Sequence, residues 1–159
     1  MKTVAQIKEL SNLRLEEAEI LCANQKYDGA FYLAGYSVEL MLKAKICENF
    51  GIDTLFDEKS EQPYFIKAAR NSVKTHDLRL LFVYSGLLTE FQREKARNQK
   101  LMMAYSYLIK DSGKDLQEDS LWSEQVRYKP IGSKTQQDVQ ELIELLKDNQ
   151  GLLEWIRNS

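Results

Sequence analysis

A chain of 159 residues has the length of one domain and can bury a sizeable core without disulfide or metal staples. Its 22 Lys and Arg against 24 Asp and Glu leave a net charge of −2, which excludes a strongly basic, histone-like nucleic-acid binder but not a local basic patch. With 7 Gly and 2 Pro there are too few turn residues for a many-turned β-sandwich or barrel, so the composition predicts one all-α domain over residues 1–159.

Hydrophobic spacing predicts the elements in order. From Thr3 to Gln25, Val4, Ile7, Leu10, Ala18, Leu21 and Cys22 recur near helical period opposite a face of Lys, Glu, Asn and Arg. Tyr27-Asp28-Gly29 reads as a break, with Asp28 a suitable N-cap for the next helix. Gly29 to Phe50 is apolar nearly all round, as a helix in the middle of a bundle should be, and Gly51 is placed to end it. Glu39 and Lys43 stand four apart in the favourable order for an ion pair.

Residues 53–63 read as a loop and Tyr64 to Val73 as a short helix. Thr75-His76-Asp77-Leu78 opens another, with Thr75 expected at the N-cap and Asp77 at the positive end of the dipole. Gly86 punctuates, and helical spacing resumes from Leu88 to Ile109. Lys110 to Ser133 is a long polar connection of the kind that is usually functional or disordered, yet it contains Trp122, Arg127 and Tyr128. Ser133 and Gln136 have capping-box spacing before a last long helix, which Gly151 interrupts. Four or five helices in an up-and-down antiparallel bundle are therefore expected.

The N-terminus is charged throughout and lacks an apolar core, so no signal peptide is expected. No run approaches the ~18 uncharged apolar residues of a membrane span. If the first two helices form a hairpin around Tyr27, Cys47 lies about 30 Å from the turn that holds Cys22, too far for a disulfide. Both are read as small buried hydrophobes in a reducing, cytoplasmic setting. One His excludes a zinc site built from several histidines, and neither a metal nor a cofactor is expected.

The run Ala30-Phe31-Tyr32-Leu33-Ala34-Gly35-Tyr36-Ser37-Val38-Glu39-Leu40-Met41-Leu42-Lys43-Ala44 is followed by Thr75-His76-Asp77-Leu78, then by Trp122, Arg127-Tyr128 and a final helix with Trp155. In order and spacing this combination resembles the HEPN family (higher eukaryotes and prokaryotes nucleotide-binding) over about residues 10–157. The resemblance implies a helical bundle that forms homodimers and associates with nucleotides or RNA. It also implies membership of a toxin–antitoxin or defence pair, with a nucleotidyltransferase antitoxin as partner. Some members are metal-independent endoribonucleases with an Arg, four to six residues, then His; Arg70 and His76 match that spacing, with Asn71 as the polar neighbour. In those members the motif lies near the last helices, whereas here it precedes the third.

The residues admit several chemistries. Arg70 suits a phosphorane charge and His76 suits proton transfer near neutrality, or His76 bonds locally in a helix's first turn. Asp77 orients the imidazole or serves only the helix N-terminus. Glu39 and Lys43 present polar groups to a ligand or form a structural pair. Trp122 and Tyr128 stack a base while Arg127 grips a phosphate, or they pin the long loop to the bundle. Arg93, Lys95, Arg97 and Lys100 attract phosphate or form a solvated face. The leading expectation is a nucleotide- or RNA-binding module. A ribonuclease acting through Arg70 and His76 and a non-catalytic protein-interaction scaffold are the alternatives.

Overall fold

The structure, a computed structural model, describes residues 3–59, 61–109 and 121–159. Among these residues the chain is all-helical. Eight α-helices follow in order: α1 (Val4–Ala23), α2 (Tyr27–Phe50), α3 (Tyr64–Val73), α4 (Leu78–Tyr84), α5 (Leu88–Glu94), α6 (Gln99–Leu108), α7 (Gln136–Lys147) and α8 (Leu152–Asn158). A single 3-10 helix, Glu124–Tyr128, lies between α6 and α7. No described helix is long and apolar enough to cross a membrane.

The expected four or five helices become eight: the short stretches Tyr64–Val73, Leu78–Tyr84 and Leu152–Asn158 each stand as a helix, and the run from Leu88 to Ile109 divides in two. Thr3 opens α1 with a capping box, its side chain accepting from Gln6 N. The single helix expected from Leu88 to Ile109 breaks after Glu94, and Asn98 starts α6 by accepting from the amides of Lys100 and Leu101. Apolar spacing continues across that break, so periodicity alone does not reveal it.

Three expected caps fall elsewhere. Asp28 lies inside the first turn of α2 and does not cap it. The N-cap of α4 is Asp77, which accepts from Arg79 N, while Thr75 Oγ1 accepts from Asp77 N. Thr135 rather than Ser133 caps α7, accepting from Asp138 N. Gly51 ends α2 in the left-handed conformation, φ 65°.

α2 is the centre of the packing, touching α1, α4, α7, α8 and the 3-10 helix. Its apolar sides Ala30, Phe31, Ala34, Val38, Leu42, Ala44 and Ile46 are all buried. α1 runs antiparallel along it. Ser11 Oγ donates to Ser37 O at 2.7 Å inside the seam, and Lys8 pairs with Glu48 near the far end. α6, α7 and α8 close the other side with Leu101, Leu108, Val139, Leu142, Leu146 and Ile156. Cys47 is buried, which pushes its thiol up to about 11. Cys22 is only half-buried, against the expectation of a fully buried side chain, and both thiols are free.

Trp122 enters this core from the connection after α6. Its indole lies over Gly35, where an added Cβ would stand 2.2 Å from the ring. Gly35→Ala must displace the indole or part α2 from the connection. Overpacking of this kind destabilises by about 1–3 kcal/mol, and a chemical-denaturation midpoint no different from wild type would exclude the close approach.

Candidate functional site

His76 sits on the extended stretch between α3 and α4, where it meets two other parts of the chain. Its Nδ1 lies 2.9 and 3.0 Å from the two carboxylate oxygens of Glu39 on α2. Its Nε2 lies 3.1 Å from Glu124 Oε2 on the 3-10 helix. Glu39 is 1% exposed, whereas the His76 side chain is 46% exposed. One turn along α2, Lys43 Nζ reaches Glu39 Oε1 at 2.5 Å and stands 5.7 Å from the Phe56 ring centroid. The predicted Glu39–Lys43 pair is thus half of a larger cluster.

The hydrogen bond to Glu39 holds the His76 imidazole above its ordinary range; burial opposes this, and the charges of Glu39 and Glu124 outweigh that of Lys43. Tyr36, on the same helix, is also raised, by burial first and then by Glu39. Asp77 is not the orienting group for the imidazole. Its carboxylate is engaged by Arg79 N at 2.9 Å and by Arg79 Nη2 at 3.1 Å. No buried side-chain polar atom among the described residues lacks a partner.

Arg70 does not share these contacts. Its Nη1 donates to Asp57 O at 2.8 Å and approaches Gln62 Oε1 at 3.4 Å. Helical side chains lean toward the N-terminus of their helix, so Arg70 reaches back to the loop before α3, while His76 lies beyond its end. The matching sequence spacing therefore does not give the two residues a common partner. Asn71 is exposed on α3.

Trp122, Arg127 and Tyr128 also separate. Trp122 is 0% exposed, donates from Nε1 to Tyr32 O at 2.9 Å and stacks on the Tyr32 ring, centroids 6.1 Å apart. This corrects the expectation that it offers a face to a base: the indole pins the connection to α2. Arg127 and Tyr128 are exposed, with the guanidinium 4.9 Å from the Tyr128 ring centroid. Residues 110–120 of the long connection lie outside the described residues.

The segment after the 3-10 helix is built onto the N-terminus of α2. The Asp28 carboxylate accepts from Gly132 N at 2.6 Å, Ser133 Oγ at 2.9 Å and Lys134 N at 3.0 Å. Burial opposes ionisation there, but these hydrogen bonds keep the Asp28 carboxyl below the usual range. Lys134 Nζ stands 4.0 Å over the Phe31 ring, and burial together with Lys129 lowers its pKa. Arg127 and Lys129 thus adjoin the exposed Tyr128 in the chain, and Lys134 lies further along over Phe31.

The basic stretch from α5 to the start of α6 is partly neutralised. Arg97 lies 3.9 Å from Glu94 and Lys100 pairs with Asp148 at 2.6 Å, while Lys95 stands over the Tyr105 ring. A cavity of about 570 Å³ between α1 and α7 is lined by Glu19, Glu144, Asp148, Gln140, Tyr27 and Cys22 among others. It holds none of the predicted site residues. Sequence reasoning missed Glu124 as a partner of His76, because nothing local links two residues so far apart. It also missed Asp28 as an anchor, because Asp beside a helix start reads first as a cap.

Comparison with protein-family models, curated proteins and solved structures finds no match to this chain.

Proposed function

We propose that this chain is a HEPN-like helical module that binds nucleotides or RNA through the segment from Arg127 to Lys134. The observation that carries this reading is the exposed Tyr128 ring, 70% accessible, with Arg127 and Lys129 on either side of it in the chain, just before the turn at Gly132 and Lys134 that Asp28 anchors. A base stacks on such a ring whatever its identity, and adjacent cations neutralise the phosphates on either side. In the same reading the chain acts as a cytoplasmic homodimer and as one component of a toxin–antitoxin or defence pair with a nucleotidyltransferase partner.

The ribonuclease reading has less support. Glu124 Oε2 lies 3.1 Å from His76 Nε2, on the side where a base would meet a 2′-hydroxyl. Arg70 donates to a backbone carbonyl rather than facing the imidazole. A protein-interaction scaffold is favoured by one feature: Tyr64 and Phe65 stand outward side by side at the start of α3.

Fluorescence anisotropy with a labelled single-stranded RNA, and calorimetry with ATP, test the proposal. Tyr128→Ala is expected to weaken RNA binding about fivefold to a hundredfold, the range of one lost base stack. Lys129→Ala should flatten the logarithmic salt dependence by about 0.7, the contribution of one phosphate contact on a single strand. Absence of binding to RNA and to ATP at low salt would overturn the reading. Cleavage of RNA in the presence of chelator, abolished by His76→Ala and Arg70→Ala, would replace it with the nuclease.

A further inference from the structure

The geometry points to His76 as a proton-operated latch: charged, it clamps Glu124 at the start of the 3-10 helix to Glu39 of α2; neutral, it lets the Glu124 side loosen while Trp122 and the buried Val126 keep the segment seated. The ring faces two carboxylates, Glu39 through Nδ1 and Glu124 through Nε2. A carboxylate only accepts hydrogen bonds, so serving both requires both ring nitrogens to donate, which is the protonated ring alone. A neutral imidazole has one N–H and one lone pair, and therefore serves only one of the two.

Which contact survives follows from burial. Glu39 is 1% exposed and held on α2, where it cannot turn to water for a replacement partner. Glu124 is about one-third exposed, on a 3-10 helix of five residues. The neutral ring therefore keeps its hydrogen on Nδ1 for Glu39 and turns the Nε2 lone pair toward Glu124. Lone pair and carboxylate repel, and the more exposed partner leaves. The other charge acting on the ring is Lys43 on α2, which opposes protonation but is itself engaged by Glu39. Asp77, next in the chain, is committed to Arg79 and the start of α4. The other donor to Glu124, Gln125 Nε2 at 3.3 Å from Oε1, belongs to the same 3-10 helix and does not tie it to α2.

The device acts on the segment that carries Arg127 and Tyr128, but it requires no ligand and stands apart from the nucleotide-binding reading. It is tested on the full chain without RNA. The protein has one His, so the imidazole carbon-bound proton signals in NMR report His76 alone. Their midpoint is expected above the ordinary value of about 6.5. Hydrogen exchange at the amides of Val126 and Lys129, which bond to Ser123 O and Val126 O, reads the order of the 3-10 helix that Glu124 holds at its start. After correction for the intrinsic pH dependence of exchange, their protection should fall about two- to fivefold as pH rises through the His76 midpoint, the range of a part-exposed ion pair.

Two substitutions separate this from general loosening. Glu124→Gln supplies an amide that accepts from a protonated Nε2 and donates to a neutral one, so protection should stay high and lose its step. Glu124→Ala should show the lower protection at every pH. The proposal is overturned if His76 titrates at or below its ordinary value, if protection is flat with pH in the wild type, or if the step persists in Glu124→Gln.

Discussion

Trp122→Ala is expected to destabilise the protein by about 3–5 kcal/mol, the range for deleting a fully buried indole. The side chain is among the largest that are completely enclosed, and it is the means by which the connection after α6 is joined to α2. Three contacts go together: the hydrogen bond to Tyr32 O, the stacking on the Tyr32 ring and the surface over Gly35. Gly35 has no side chain to fill the space, so the cavity does not collapse without moving helix backbone, and the upper part of the range applies. Trp122→Phe keeps most of the ring and loses the donor, so it should cost about 1–3 kcal/mol, a lost hydrogen bond plus a smaller void. For a chain of this size each kcal/mol lowers Tm by about 2–4 °C, which places the alanine variant roughly 6–20 °C below wild type. A loss under about 1 kcal/mol, measured by urea denaturation, would mean that the connection does not depend on this anchor.

Trp122 also shows where reading the sequence succeeds and where it stops. The two readings open for it, base platform or loop pin, use the same residue in the same polar connection. Only the approach of α2, with a glycine opposite the indole, decides between them. Elements that carry their own instructions were legible. α2 is apolar on nearly every side and ends at a glycine in the left-handed conformation, so both its central place and its stop follow from composition. The Glu39–Lys43 pair followed from helical spacing.

Competition between neighbouring signals was not legible. Ser133 and Thr135 each offer a hydroxyl before the last long helix. Thr135 takes the cap, while Ser133 donates to Asp28, a residue on the opposite side of the sequence. Asp28 in turn is lost as a cap because three donors from that segment occupy its carboxylate. The Arg70–His76 spacing failed for a related reason. It describes separation along the chain, whereas Arg70 turns back to the loop before α3 and His76, beyond its end, meets α2 and the 3-10 helix. Contacts between His76, Glu39 and Glu124 join three separate segments, and no local rule of spacing applies to them.

Glu39→Ala is the second large effect, and its dependence on pH identifies its cause. The carboxylate is buried and accepts from Lys43 Nζ and from His76 Nδ1. Removing it leaves one cation with little solvent contact and a second facing a void. Breaking a buried pair from one side costs about 3–5 kcal/mol, and because Lys43 still reaches water the lower edge of that range applies. Glu39→Met combined with Lys43→Met replaces both charges by packed apolar groups and should recover most of the loss, since buried pairs are often no more stabilising than their hydrophobic replacements. The His76 contribution has a definite sign. Its folded pKa is raised, so the stabilisation is fully present below the unfolded value of about 6.5 and is lost as pH rises through the folded one. Urea midpoints measured from pH 6 to pH 9 should therefore decline in the wild type, and the decline should be smaller in Glu39→Ala, because the hydrogen bond that chiefly raises the pKa is gone. An equal decline in both proteins would assign the pH dependence to other groups and would remove Glu39 as the partner that charges the imidazole.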